Sequence, residues 1–148
     1  MAKRSPTPVR FEDEVAKRLA SFVASDPGLS LSAAANLLVD EGLRTDEYPG
    51  VVFRDGLAGR RAGLAAGPDV WEVIRAVKSA RCAEPELAED ELLSLVADNG
   101  GVALGKVRTA VRYWARYPEE VDARIAAAQD AETAAELAWR RERDLLAQ

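Results

Sequence analysis

Histidine is the side chain most often recruited for proton transfer at neutral pH, and this chain has none; its only thiol is Cys82. The commonest general base and the commonest zinc ligand are therefore missing, and a zinc site would rest on carboxylates almost alone. The chain is richer in patterned cations. Arg108, Arg112 and Arg116 recur at i, i+4 and i+8, and with Lys106 they occupy a run between Asp98 and Glu119 that holds no acid. Arg54, Arg60 and Arg61 enclose only Asp55, and Lys3, Arg4 and Arg10 fall in an acid-free start. Charge asymmetry of this kind is what matters for partner surfaces.

The whole-chain charge of −5 argues against a nucleic-acid partner, but the average conceals the local pattern. Charges act within about 8 to 10 Å at ordinary salt, so separate basic clusters count more than the sum. Much of the acid lies apart from them, in EDE, EPELAEDE and the tail. A third possibility is a metal-dependent enzyme built on acids such as Asp40, Asp46 and Asp55. It lacks histidine and lacks paired carboxylates on one helix face.

The chain has 148 residues, enough for one ordinary domain or two small ones. Apolar residues make up 48% but aromatics only 6%, a composition suited to helices packed through small side chains. No stretch approaches the roughly 18 to 20 apolar residues that span a bilayer. The start, MAKRSPTP, has no apolar run behind its basic residues, and one cysteine forms no internal disulfide; a cytoplasmic protein without cofactor or metal is the expectation.

Val15, Leu19, Phe22 and Val23 fall on one face of a helix over about 13–24, stopped by Asp26-Pro27-Gly28. Ser30 is a good N-cap for a second helix with Leu31, Ala34, Leu37 and Leu38 inward, ending near Gly42 and Arg44. Ahead of both stands TPVRF, residues 7–11, five strand-prone residues with no second strand nearby. Backbone groups in a strand alternate with period two. If Thr7, Val9 and Phe11 hydrogen-bond to a partner strand, Pro6 and Pro8 lose nothing, because their missing N–H groups point outward. The same segment of a second chain is such a partner. Odd side chains then sit on the helices, and the dimer is the folding unit.

The order of TPVRF, DEVAKRLASF and PGLSLSAAANLLVDEGLR resembles the ribbon-helix-helix family of DNA-binding repressors and antitoxins over about the first 45 residues. The resemblance implies a ribbon in the DNA major groove, with Arg10 facing the bases, Pro8 and Thr7 beside it, and Lys3 and Arg4 extending the basic surface. It also implies a phosphate held by the N–H groups after Ser30 with the Ser32 hydroxyl, sound physics for any helix N-terminus. Two prolines stand where the family usually places polar readers; proline touches a thymine methyl but donates no hydrogen bond.

TDEYPG, 45–50, reads as a linker. VVFRDGLAGRRAGLAAG then predicts a small hairpin with Asp55-Gly56 at its turn and Arg60 and Arg61 exposed. A phosphate cradle is the other reading of these glycines, but the GKS or GKT ending of a P-loop is missing. Three helices follow, over about 69–79, 86–97 and 104–117, and Cys82 falls in a turn between the first two. In the third, Val107, Ala110, Val111 and Trp114 form one face, with Arg108, Arg112 and Arg116 beside it. This is either the layout of a recognition helix or a solvated basic face.

YPGVVFRDGLAGRRAGLAAGPDVWEVIRAV and KVRTAVRYWARYPEEVD resemble a small helix-turn-helix domain of bacterial antitoxins, covering about 48–122. The stretch ADNGGVALG makes its turn longer than usual. That resemblance implies a toxin of the PIN-like ribonuclease class. Such nucleases hold a divalent metal in a carboxylate cluster, into which an arginine could be delivered. The tail, 123–148, is helix-forming and thinly apolar until Leu137, Trp139, Leu145 and Leu146, with Arg140, Arg141 and Arg143 among them. It either folds on a partner or packs back on its own dimer.

The expectation is a mainly α protein: a ribbon-helix-helix dimerisation unit over 1–45, a hairpin plus helix-turn-helix domain over 48–122, and a toxin-binding helix over 123–148. Its function would be that of a type II antitoxin that binds operator DNA as a homodimer, represses its own operon and neutralises a PIN-like ribonuclease. DNA contacts would involve Lys3, Arg4, Thr7, Pro8, Arg10, Ser30, Ser32, Arg60, Arg61, Lys106, Arg108 and Arg112. Toxin contacts would involve Leu137, Trp139, Arg140, Arg141 and Arg143. The alternative is a stand-alone transcriptional or DNA-partition regulator.

Overall fold

A computed structural model describes residues 5–56 and 59–147. Lys3 and Arg4 lie outside the described residues. The chain is mainly helical, with one two-stranded antiparallel hairpin. Its order is α1 (Asp13–Ala24), α2 (Leu31–Glu47), β1 (Val51–Arg54), β2 (Arg61–Leu64), α3 (Val70–Ala83), α4 (Glu89–Gly100), α5 (Leu104–Arg116) and α6 (Pro118–Leu146). Two compact units divide between Leu43 and Arg44, and α6 belongs to the second.

In the first unit, residues 5–12 form neither helix nor strand in the single chain. Asp13 and Glu14 place acid in the first turn of α1, where the helix dipole favours it. The turn between the helices is fixed locally: Gly28 N–H donates to Asp26 Oδ1 at 3.2 Å, and Ala33 N–H donates to Ser30 Oγ at 3.1 Å, the N-cap bond expected of Ser30. Among the described residues of this unit the only buried apolar side chains are Leu19 and Ala34, while Val9, Phe11, Val15, Leu31, Val39 and Leu43 are exposed.

The second unit has a core of its own. Val51 pairs with Leu64 and Arg54 with Arg61 across the hairpin, and Val51 and Leu64 are wholly buried. They meet Val70, Val73 and Ile74 of α3, Val96 and Ala97 of α4, Val107, Ala110 and Tyr113 of α5, and Val121 and Ile125 of α6. Helix α3 is central: it contacts β2, α4, α5 and α6.

Several boundaries differ from the sequence reading. α2 runs through Gly42 to Glu47, so TDE is helical rather than a linker, and Tyr48 packs against the core. Gly42 does not adopt a positive φ, whereas Gly50 does, at 99°; the real stop is Pro49-Gly50. α3 extends past Ser79 to Ala83 and carries Cys82 on its exposed face, so that residue is not in a turn. Pro85 ends the run, since proline disfavours helical backbone in the residue before it. Arg81 then spans the turn, donating to the carbonyls of Pro85 at 3.1 Å and Leu87 at 2.7 Å. α4 begins at Glu89 and closes at Gly101, whose φ of 61° is the left-handed cap glycine supplies at low cost.

α6 is anchored only along its first half. Lys78 meets Asp122 at 2.7 Å, Trp114 Nε1 donates to the same carboxylate at 2.9 Å, and Arg75 grips Glu132 with two bonds of 2.6 and 2.7 Å. Every residue from 129 to 147 is exposed. The hydrogen bond from Lys78 holds Asp122 below the usual carboxylate range, and that from Arg75 does the same for Glu132. A carboxyl whose folded pKa is depressed stabilises the fold above its unfolded value, near 4, and that contribution is lost as pH falls through the folded value. Acid titration monitored by Trp114 fluorescence is therefore expected to show α6 loosening below about pH 4. Asp122→Asn is expected to shrink that acid-sensitive change.

Candidate nucleic-acid interface

On the first unit, Thr7, Pro8 and Arg10 are exposed along the extended segment before α1. Ser30 and Ser32 are exposed at the start of α2. The Ser30 hydroxyl is engaged in capping Ala33, and the Ser32 carbonyl accepts from Asn36 Nδ2 at 2.9 Å. With the Ala33 N–H taken by that cap, what this helix start can offer an anion is the backbone N–H groups of Leu31 and Ser32. Beside Arg10 runs an apolar groove of about 400 Å³, lined by Phe11, Val15, Leu19, Phe22, Leu38 and Val39.

On the second unit the cationic residues divide into those turned to solvent and those holding the fold. Arg108 and Arg112 are exposed on one face of α5, although Arg108 donates to Asp90 at 2.7 Å. Arg116, next on the stripe, lies 5.2 Å from the Tyr117 ring centre. The buried face of α5 is Val107, Thr109, Ala110 and Tyr113; Val111 and Trp114 are only half-buried. Lys106 donates to the carbonyls of Ala65 and Ala66 at 2.7 and 3.3 Å, tying the start of α5 to the turn after β2.

Arg60 and Arg61 are not the exposed pair expected from the sequence. Their side chains are about one-quarter exposed: Arg60 meets Asp55 at 3.2 Å, and Arg61 Nε donates to Asp69. The hairpin register explains this. Arg54 and Arg61 stand opposite each other, and like charges so placed repel. The buried Asp69 carboxylate resolves the conflict by accepting from both, Arg54 at 3.1 Å, while Arg54 also donates to Gly67 O at 2.9 Å. Asp69 also precedes α3, and its N–H donates to Glu72 Oε2 at 2.8 Å, half of a capping box. As the residue before α3, Asp69 is legible in the sequence only as a helix cap. The two arginines bracketing a hairpin loop were the signal that an acid must lie between them.

Arg44, which the sequence marks only as near the end of a helix, has a larger role. It donates to Tyr113 Oη at 3.0 Å and Glu120 Oε2 at 2.7 Å, and its guanidinium lies 4.0 Å from the Tyr117 ring centre. Burial opposes the Arg44 charge, but the bonds to Tyr113 and Glu120 outweigh it and hold its pKa above the ordinary arginine value. Burial pushes the Tyr113 phenol up as well. With Tyr48 edge-on to Tyr113 at 5.5 Å, these residues join the end of α2 to the α5–α6 corner.

Along α6, Leu137, Trp139, Arg140, Arg141 and Arg143 are all exposed. Arg140 pairs with Glu136 at 2.5 Å, and Arg143 lies 5.4 Å from the Trp139 ring centre. Among the described residues, no group of three or more His, Cys, Asp or Glu side chains is placed to hold a metal ion. None of their helices is long and apolar enough to cross a membrane. No protein-family model matches the chain, nor does any curated protein or solved structure.

Asp69→Ala removes the residue that precedes α3 and the carboxylate that Arg54 and Arg61 share. Urea unfolding is expected to show a loss of about 3 to 5 kcal/mol. Asp55→Ala, which breaks an exposed pair, is expected to cost about 0.5 kcal/mol or less.

Proposed function

We propose that this protein is a dimeric DNA-binding antitoxin of the ribbon-helix-helix type. The observation that carries the reading is the poverty of the first unit's own core. Among its described residues only Leu19 and Ala34 are buried apolar side chains, and an apolar groove lies open next to a proline-flanked segment that is neither helix nor strand. Pairing that segment with its copy about a two-fold axis supplies backbone partners and lowers Val9 and Phe11 onto the helices. Arg10 then faces outward from the ribbon, towards the major groove, and the two α2 starts face flanking phosphates. Arg108 and Arg112 on α5 add a second basic face. Arg60, Arg61 and Lys106 support their own fold and contribute charge rather than direct contacts.

The partner-binding half of the proposal rests on α6, whose exposed end carries Leu137 and Trp139 among three arginines. An arginine on a protruding helix suits a carboxylate-lined, metal-binding nuclease site, where it would form a bidentate pair. Repression of its own operon would follow from operator binding. A stand-alone regulator without a toxin is the other reading; it shares the DNA half and gives α6 no nuclease to bind.

Six to ten phosphate contacts would make affinity fall by about 10³ to 10⁵ between roughly 50 and 200 mM salt in a gel-shift titration. Arg10→Ala is expected to lower specific binding by about 1 to 3 kcal/mol while leaving the helical content unchanged. A salt-independent shift, or full affinity in Arg10→Ala, would remove the DNA role. A chain lacking residues 130–148 is expected to keep DNA binding and lose toxin neutralisation; retained neutralisation would remove the assigned role of α6.

A further inference from the structure

The outer side of α4 is acidic and only partly covered. A groove of about 590 Å³ runs along it and the turn before it, lined by Glu84, Leu87, Asp90, Glu91, Leu95 and Asp98. Among the described residues no cation lines it. Arg108 holds Asp90 at 2.7 Å, whereas Glu84, Glu91 and Asp98 meet no cation among the described residues. Leu87 and Leu95 stand half-buried on either side of Glu91, and neither belongs to the unit's core or packs against it.

The end of α6 carries the counterpart. Leu137, Arg141 and Leu145 recur every four residues and so share one helix face about 80° wide. Leu137 and Leu145 are 47% and 72% exposed, and Arg141 is exposed between them. Arg140 is held by Glu136 and Arg143 lies against Trp139, but Arg141 has no partner among the described residues. Asp144 is the one acid on this face. Leu87, Glu91 and Leu95 on one side, and Leu137, Arg141 and Leu145 on the other, each set a charge midway between two leucines. The spacing is the same and the charge is opposite.

We infer that the groove on α4 docks the end of α6 of a second copy, with Arg141 on Glu91 and Leu137 and Leu145 covering Leu87 and Leu95. Both halves stand uncovered within one chain, so the contact forms between copies. An exposed ion pair alone contributes little, so the leucines supply the adhesion and the charges set the register. Glu84 and Asp98, at the ends of the groove, add to the attraction for a cationic segment. The contact stands apart from the DNA-binding reading, and it excludes any other protein seated on Arg141.

The test mixes two full-length chains in a Cys82→Ser background. One is ¹⁵N-labelled; the other is unlabelled and carries a nitroxide on Glu142→Cys, at the edge of the proposed contact. Because the two labels sit on different chains, any paramagnetic broadening reports contact between copies. Amides of residues 84–98 are expected to broaden most. Arg141→Glu in the nitroxide chain, or Glu91→Arg in the ¹⁵N chain, is expected to weaken the contact about tenfold with unchanged circular dichroism. Combining the two is expected to restore the broadening, which also guards against a variant that merely fails to fold. No broadening over residues 84–98, broadening indifferent to Arg141→Glu, or no recovery in the charge-swapped pair would each overturn the inference.

Discussion

Leu19 and Ala34 are the whole fully buried apolar content of the first forty-three residues, as far as these are described, and every other argument about this unit starts there. A segment this short buries too little surface to offset the conformational entropy it loses. Its two helices are nevertheless well specified, with acid at the start of α1, an Asp26–Gly28 turn and a serine cap on α2. Local geometry is settled while apolar faces remain uncovered. In the proposed dimer a second copy would relieve that imbalance and supply backbone partners for the segment ahead of α1.

The second unit depends on a different constraint, the accommodation of arginines inside a small domain. Arg54 and Arg61 share Asp69, and Arg44 shares Glu120 with Tyr113. Each arrangement joins elements distant in sequence: hairpin to α3 in one, the end of α2 to the α5–α6 corner in the other. Cations that look available for a ligand are thereby committed to holding the fold. The residues left facing solvent, Arg108 and Arg112 on α5 and the arginines late in α6, are on helices rather than at the hairpin.

Local signals were legible in the sequence where a single element decided them. The bounds of α1, the hairpin, the cap at Asp69 and the glycine turn after α4 all follow from spacing and turn chemistry. α2 was cut short because Gly42 looked like a stop, yet glycine without a positive φ only weakens a helix. Tyr113 was passed over in favour of Val111 and Trp114. Its hydroxyl can be buried only because Arg44 and Glu120 reach it from other elements, and no periodicity reports such pairings. The roles of Arg61 and Asp69 depended likewise on strand register. As for the interface, the exposed position of Arg10 follows from its place before α1, whereas the engagement of Arg60 and Arg61 does not.

The most direct measurement is residue-resolved amide hydrogen exchange on the full chain across a dilution series. A paired ribbon predicts protected amides at Thr7, Val9 and Phe11, fast exchange at Arg10 between them, and loss of the protection as the protein is diluted below its dimer affinity. Exchange at unstructured-chain rates for all four amides at every concentration would contradict the account.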